Sequence, residues 1–242
     1  MTNNFQLLGP AHLVILCAVP LLAGVLAYAQ RRLAPGTRWL RLGLATVFLL
    51  DTLLYYGNMA AHGQLTFPNH VPLELCDASL FLMIIVLFTL NRAVFDLAYY
   101  WALGGASMAL LTPNLLEPFP SFGSVQFFIA HGLIVASALY LVWSRQMQPR
   151  PGSVARAMVA LNIYAAVVGI FDYFFKTDYM YLRAKPQSAS LLNVLGPWPW
   201  YILATEGVAL GLFLLMYLPN RRPALSLQES EPSAAVSEPM QS

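Results

Sequence analysis

Between positions 11 and 218 the chain is a succession of long apolar runs separated by short polar connections. A run of about 20 apolar residues crosses roughly 30 Å of hydrocarbon when helical. Seven runs of this kind are legible, over 11–30, 39–57, 72–90, 93–112, 124–143, 157–175 and 199–218. The expected fold is therefore all-α, a polytopic bundle of seven transmembrane helices forming a single domain over 1–222. Asn91-Arg92 is the tightest connection and makes runs three and four a helical hairpin. Pro72, Pro113 and Pro199 lie near run ends, where a missing N–H costs little, whereas the internal Pro20 predicts a kink in the first helix. After Pro223 the segment LSLQESEPSAAVSEPMQS has no periodic apolar face and reads as a disordered cytoplasmic tail over 223–242.

Composition sharpens the class. Hydrophobic residues make up 58% of the 242 and charged residues only 10%, against roughly 25% charged in a soluble domain. That excludes an ordinary soluble protein and a chain disordered throughout. A formal net charge of +2, spread along the sequence, provides no footprint for nucleic acid. The placement of the basic residues says more than their sum. Met1 to His12 holds no Lys or Arg while Arg31 and Arg32 follow the first run, so this run reads as an anchor rather than a cleaved signal peptide. Counted by connection, ten basic residues fall on one side, at 31, 32, 38, 41, 92, 145, 150, 156, 221 and 222, and three on the other, Lys176, Arg183 and Lys185. The positive-inside rule then puts the amino terminus outside and the carboxyl terminus in the cytoplasm, as expected of a multi-pass protein of a cell membrane, the inner membrane in a bacterium. The three outer cations share the longest connection, 176–198, and long loops are often functional. Trp198, Trp200 and Tyr201 sit where an aromatic belt is expected.

Ionisable groups inside lipid are expensive, so each is a functional candidate. Measured along helices from their outer ends, Asp51, Cys76, His131, Asp172 and Glu206 lie between about 5 and 10 Å deep. Glu74 and Asp77 join this layer, while Asp96, near the inner end of run four, is the main exception. The pattern suggests one polar cavity open to the outside. Cys76, in PLELCDAS, is a candidate nucleophile, because a thiolate with a base in contact attacks acyl carbons. His131, in FFIAHG, is the histidine placed well inside a run and would be that base, with Asp51, Asp77 or Glu206 available to orient its far ring nitrogen. The plainer alternatives are a small buried hydrophobe for Cys76 and a helix-to-helix hydrogen bond for His131. Cys17 reads as packing, GGASMA in run four as a small-residue packing face, and His12, His62 and His70 as solvated or interfacial. Spacing offers no metal motif such as H-E-x-x-H and no nucleotide or haem signature, so no metal or cofactor is expected.

Three segments together, PLELCD, FFIAHG and above all DYMYLRAKPQSASLLNVLGPWPWY, resemble the YwaF family of bacterial integral membrane proteins over about residues 11–218. That family is similar to a eukaryotic transmembrane acyltransferase that moves fatty acyl chains between phospholipids. The resemblance implies Cys76 and His131 as the reactive pair. The expected function is lipid-directed acyl transfer in the outer leaflet, with membrane lipids as partners and substrates and with Lys176, Arg183 and Lys185 holding a lipid headgroup. Ser79, Tyr179 and Tyr181 are candidate oxyanion donors. With water as the acceptor the same pair would make a lipase, and two rival classes remain: a structural or partner-binding membrane protein without catalysis, and a small-solute or proton-coupled transporter, for which polar groups through the full thickness or an internal repeat would be the signature.

Overall fold

The computed structural model describes residues 5–33, 37–115, 117–186 and 191–220, and among these there is no strand. Arg221, Arg222 and the expected tail at 223–242 lie outside the described residues. Seven helices follow one another: α1 (Pro10–Arg32), α2 (Trp39–Ala61), α3 (Leu75–Thr89), α4 (Arg92–Leu111), α5 (Phe122–Trp143), α6 (Ser153–Phe175) and α7 (Trp200–Tyr217). Six of them are long and apolar enough to cross a membrane; α3, at 15 residues, is the short one.

Local chemistry sets the helix ends. Pro10 opens α1, where its missing N–H is an orphan in any case, and α1 stays helical through Pro20. The Asn91 side chain accepts from the backbone N–H groups of Ala93 and Val94, so α4 starts directly after Leu90, which caps the end of α3. Ser121 and Ser124 cap α5 reciprocally. Within α4, residues Ala102–Ala106 form a π-helical turn. Its two glycines admit close neighbours: a Cβ on Gly104 would lie 3.0 Å from the Phe213 ring, and one on Gly105 would lie 3.2 Å from the Leu75 side chain.

The core lies around α5, whose residues 130–138 are buried in an unbroken run, and around the first half of α4. The faces of α1, α2, α6 and α7 are largely exposed Leu, Val, Ile and Phe, the surface expected where acyl chains replace water. Polar contacts gather at two poles. At one, His12 on α1 meets the Leu110 carbonyl on α4, Glu74 before α3 meets Met180 after α6, and Tyr201 on α7 meets the Tyr181 carbonyl. At the other, Arg41 on α2 donates to the Leu87 carbonyl on α3, Tyr99 on α4 to the Met216 carbonyl on α7, and Gln30 on α1 accepts from Tyr140 on α5.

The second pole also holds both ion pairs among the described residues. Asp96, fully buried, accepts from the guanidinium groups of Arg150 at 2.6 Å and Arg156 at 2.8 Å. The sequence marked Asp96 only as an inner exception; it fastens α4 to the α5–α6 connection and to α6.

Candidate active site

Cys76 occupies the first turn of α3. Glu74 and Asp77 form a reciprocal capping box around that turn, with the Glu74 N–H donating to Asp77 Oδ2 at 3.1 Å. The first-turn N–H groups of Leu75 and Cys76 have no intrahelical acceptor, and a helix amino terminus favours negative charge. Tyr55 and Tyr56 of α2, Tyr164 of α6 and Tyr181 all lie within electrostatic reach of Cys76. Tyr55 and Tyr56 were invisible as site residues in the sequence, where YY reads as two more apolar positions of a long run.

The connection after α6 is folded down over this turn. Asp172, fully buried, accepts through Oδ1 from the Thr177 hydroxyl at 2.7 Å and the Tyr179 N–H at 3.1 Å, while its Oδ2 has no hydrogen-bond partner. Glu74 Oε2 accepts the Met180 N–H at 3.0 Å. The Tyr179 hydroxyl donates to the Pro68 carbonyl and accepts from the Val71 N–H. Burial first, then the nearby carboxylates of Glu74, Asp77 and Asp172, raise its phenol above the ordinary value. Tyr164 donates to the Leu73 carbonyl, so α6 also grips the segment leading into α3.

His131 is buried on α5, its ring stacked 4.1 Å from that of Phe127. Nδ1 lies 2.7 Å from the Phe127 carbonyl oxygen. A carbonyl only accepts, so Nδ1 carries the proton of the neutral ring and Nε2 carries the lone pair. The orienting partner expected among Asp51, Asp77 and Glu206 is thus replaced by a backbone carbonyl one turn away. Each of the three is engaged elsewhere: Asp51 accepts from Gln126 at 3.0 Å, Asp77 caps α3, and Glu206 accepts from Asn162 at 2.9 Å.

Among the described residues no hydrogen bond joins Cys76 to His131. Their helices do pack against each other, and both pack against the π turn of α4. The expected single cavity is also divided. Glu74, Cys76, Asp77 and Asp172 gather under the 176–186 connection, Asp51 lies with Gln126 in a groove between α2 and α5, and Glu206 pairs with Asn162 on exposed faces of α6 and α7. Position along a helix does not fix the direction in which a side chain points, and here the directions differ.

The other candidates fall as follows. The Lys176 ammonium lies 4.7 Å above the Tyr173 ring and that of Lys185 5.3 Å above the Tyr201 ring. Arg183 donates to the carbonyls of Asp172 and Thr177, which closes the carboxyl end of α6. Ser79 spends its proton on the Leu75 carbonyl, whereas the Tyr181 hydroxyl accepts from Asn114 and keeps its proton. Cys17 is exposed on α1 and both cysteines are free thiols. Trp198 and Trp200 are exposed, while Tyr201 is buried. His12 departs from the interfacial reading: it is fully buried, accepting the Leu8 N–H on Nδ1 and donating through Nε2 to Leu110 O. Its ring satisfies two backbone groups that lipid could not.

A bundle of long apolar helices with its polar contacts gathered at two poles defines a multi-pass α-helical membrane protein. Residues 7–217 match the TMEM164 family, and the chain belongs to that family. It is also similar to an uncharacterized protein of Treponema pallidum (strain Nichols), 25% identical over 223 residues that cover 91% of this chain and 92% of the relative. No solved structure matches.

Proposed function

We propose that the protein is a lipid-directed acyltransferase of the YwaF type, working in the outer leaflet of a cell membrane with Cys76 as nucleophile and His131 as base. The observation that carries this reading is the ring of His131: with Nδ1–H held by the Phe127 carbonyl, Nε2 is left as the free basic atom. The position of Cys76 on the first turn of α3 supports it, because the orphan N–H groups there can receive an oxyanion.

In this mechanism α3 and α5 close until Sγ reaches Nε2, which takes the thiol proton. The thiolate adds to the carbonyl carbon of a phospholipid ester, the ester C–O bond breaks, and the departing lysophospholipid oxygen takes the proton back from the imidazolium. The acyl chain is then a thioester on Cys76. A lysophospholipid hydroxyl gives its proton to Nε2, attacks the thioester, and the proton returns to sulfur as the C–S bond breaks. Atoms and charge balance with no further reactant. Lys176 and Lys185 are the cations left to meet a lipid phosphate, since Arg183 is committed to backbone carbonyls.

The same reading takes α3 as a seventh crossing. Its 15 residues are about 22 Å long, but its start is tied to one pole through Glu74 and its end to the other through Leu87. Seven crossings, with the Arg-rich pole in the cytoplasm, leave the amino terminus and the candidate site outside.

The missing direct bond between Cys76 and His131 favours one second reading, a membrane scaffold in which both are packing residues. Transfer of a radiolabelled acyl chain from phospholipid to lysophospholipid by the purified protein separates the two. Acyl transfer predicts activity in the wild type that is lost in both Cys76→Ala and His131→Ala at matched fold stability. No transfer from any of several phospholipid donors supports the scaffold; transfer that survives both substitutions assigns the chemistry to other residues.

A further inference from the structure

The pole opposite the candidate site carries its cations unevenly. Arg150 and Arg156 share the buried carboxylate of Asp96. The turn between α1 and α2 has no such counterpart. Arg31 and Arg32 end α1, Arg38 and Arg41 stand at the start of α2, and no Asp or Glu precedes Asp51 in the chain. Among the described residues none of these four arginines makes an ion pair.

Arg31, Arg32 and Arg38 are exposed, as basic residues beside a membrane ordinarily are. Arg41 is not. It is half-buried where α1, α2, α3 and α5 come together. Its Nη1 donates to the Leu87 carbonyl of α3, and the Tyr140 hydroxyl of α5 lies within its electrostatic reach. That hydroxyl donates to Gln30 of α1, whose amide donates to the Thr37 carbonyl ahead of α2. All of these neighbours are neutral. The Arg41 Nε–H is buried and has no acceptor. An unmet buried donor is costly and calls for a group that the chain itself does not supply. In a guanidinium the Nε–H and the adjacent Nη2–H form one edge, which grips two phosphate oxygens side by side. A small outward turn of that edge presents it while Nη1 stays on Leu87.

The level of the site fits a phosphate. Trp39 is 71% exposed, and the Arg38 guanidinium lies 5.9 Å from its ring centre, as expected of side chains at the headgroup layer. Arg41 is two residues further along α2, about 3 Å deeper, a distance that its long side chain covers. Arg38 precedes it by three residues and shares its face of the helix. A zwitterionic headgroup brings an ammonium of its own, which these cations repel, whereas a headgroup of net negative charge brings none.

We propose that the turn between α1 and α2 binds the headgroup of an anionic phospholipid, its phosphate held by the Nε–Nη2 edge of Arg41 and by Arg38. The lipid here is a bound ligand at the pole away from Cys76, and the site stands whether or not the protein transfers acyl chains.

The test is native mass spectrometry of the full-length protein released from micelles that contain equal phosphatidylglycerol and phosphatidylcholine. The wild type should retain phosphatidylglycerol at least fivefold over phosphatidylcholine. Arg41→Gln, which keeps an N–H for Leu87, should cut the retained phosphatidylglycerol at least fivefold. Arg38→Gln, at an exposed position that cannot upset folding, should cut it at least twofold. Arg92→Gln removes the same charge from the exposed start of α4 and should stay within twofold of wild type. Glycerol 3-phosphate, which has the phosphate without the chains, should not displace the lipid. Equal retention of the two lipids overturns the proposal, as does retention unmoved by Arg41→Gln and Arg38→Gln. An equal loss in Arg92→Gln overturns it in favour of diffuse charge, and displacement by glycerol 3-phosphate overturns it in favour of a soluble phosphate.

Discussion

Glu74 is where the candidate site can be loosened in a graded way. Its carboxylate accepts the Met180 N–H at 3.0 Å and takes part in the capping box of α3, so one side chain ties the 176–186 connection to the turn holding Cys76. Glu74→Ala strands a partly buried amide, at about 1–3 kcal/mol, and removes a helix cap, at about 1 kcal/mol, for a total near 2–4 kcal/mol. Glu74→Gln keeps a carbonyl oxygen that can accept both N–H groups, so its loss should stay below about 1 kcal/mol. The assay is unfolding of the purified variants by SDS in mixed micelles, followed by tryptophan fluorescence, with limited proteolysis between Thr177 and Pro186 as a local readout. The alanine variant should be cut faster there while the glutamine variant resembles wild type. A glutamine variant as unstable as the alanine one would show that charge, and not an acceptor atom, is what the loop needs. Both variants within 0.5 kcal/mol of wild type, a margin set by ordinary surface substitutions, would refute the anchoring argument itself.

Two further substitutions probe the rest of the bundle. Asp96→Asn keeps the volume of a fully buried side chain but removes the charge that Arg150 and Arg156 share; because both arginines are partly exposed and can rehydrate, the expected loss is about 1–3 kcal/mol, short of the 3–5 of a wholly buried pair, measured in the same SDS titration. Gly104→Ala puts a Cβ 3.0 Å from the Phe213 ring and should cost about 1–3 kcal/mol as overpacking; pairing it with Phe213→Leu should recover most of that, and a double variant no better than the single one would place the strain elsewhere.

Much of the fold is legible along the chain because the signal is local. Twenty apolar residues in a row need nothing from the rest of the molecule to be read as a helix in lipid, and six of the seven expected runs correspond to helices long enough to cross. The third run, 72–90, is the instructive exception: Pro72, Leu73 and Glu74 form a non-helical lead-in, in which Leu73 accepts from Tyr164 and Glu74 from the Met180 N–H, and the helix begins only at Leu75.

Depth is a single coordinate, and these helices are apolar on nearly every side, so no polar stripe in the sequence shows which face turns inward. Class and helix order were therefore determined by the sequence alone. Which groups meet was decided only in three dimensions, by contacts between residues far apart in number. Packing put Asp172 beneath Tyr179 but turned Asp51 out into a groove, and it buried His12 against Leu110. It also set the proton of His131 on the nitrogen facing Phe127. The physical reason is that lipid satisfies no hydrogen bond, so every polar group must find its partner on whichever helix the bundle brings beside it.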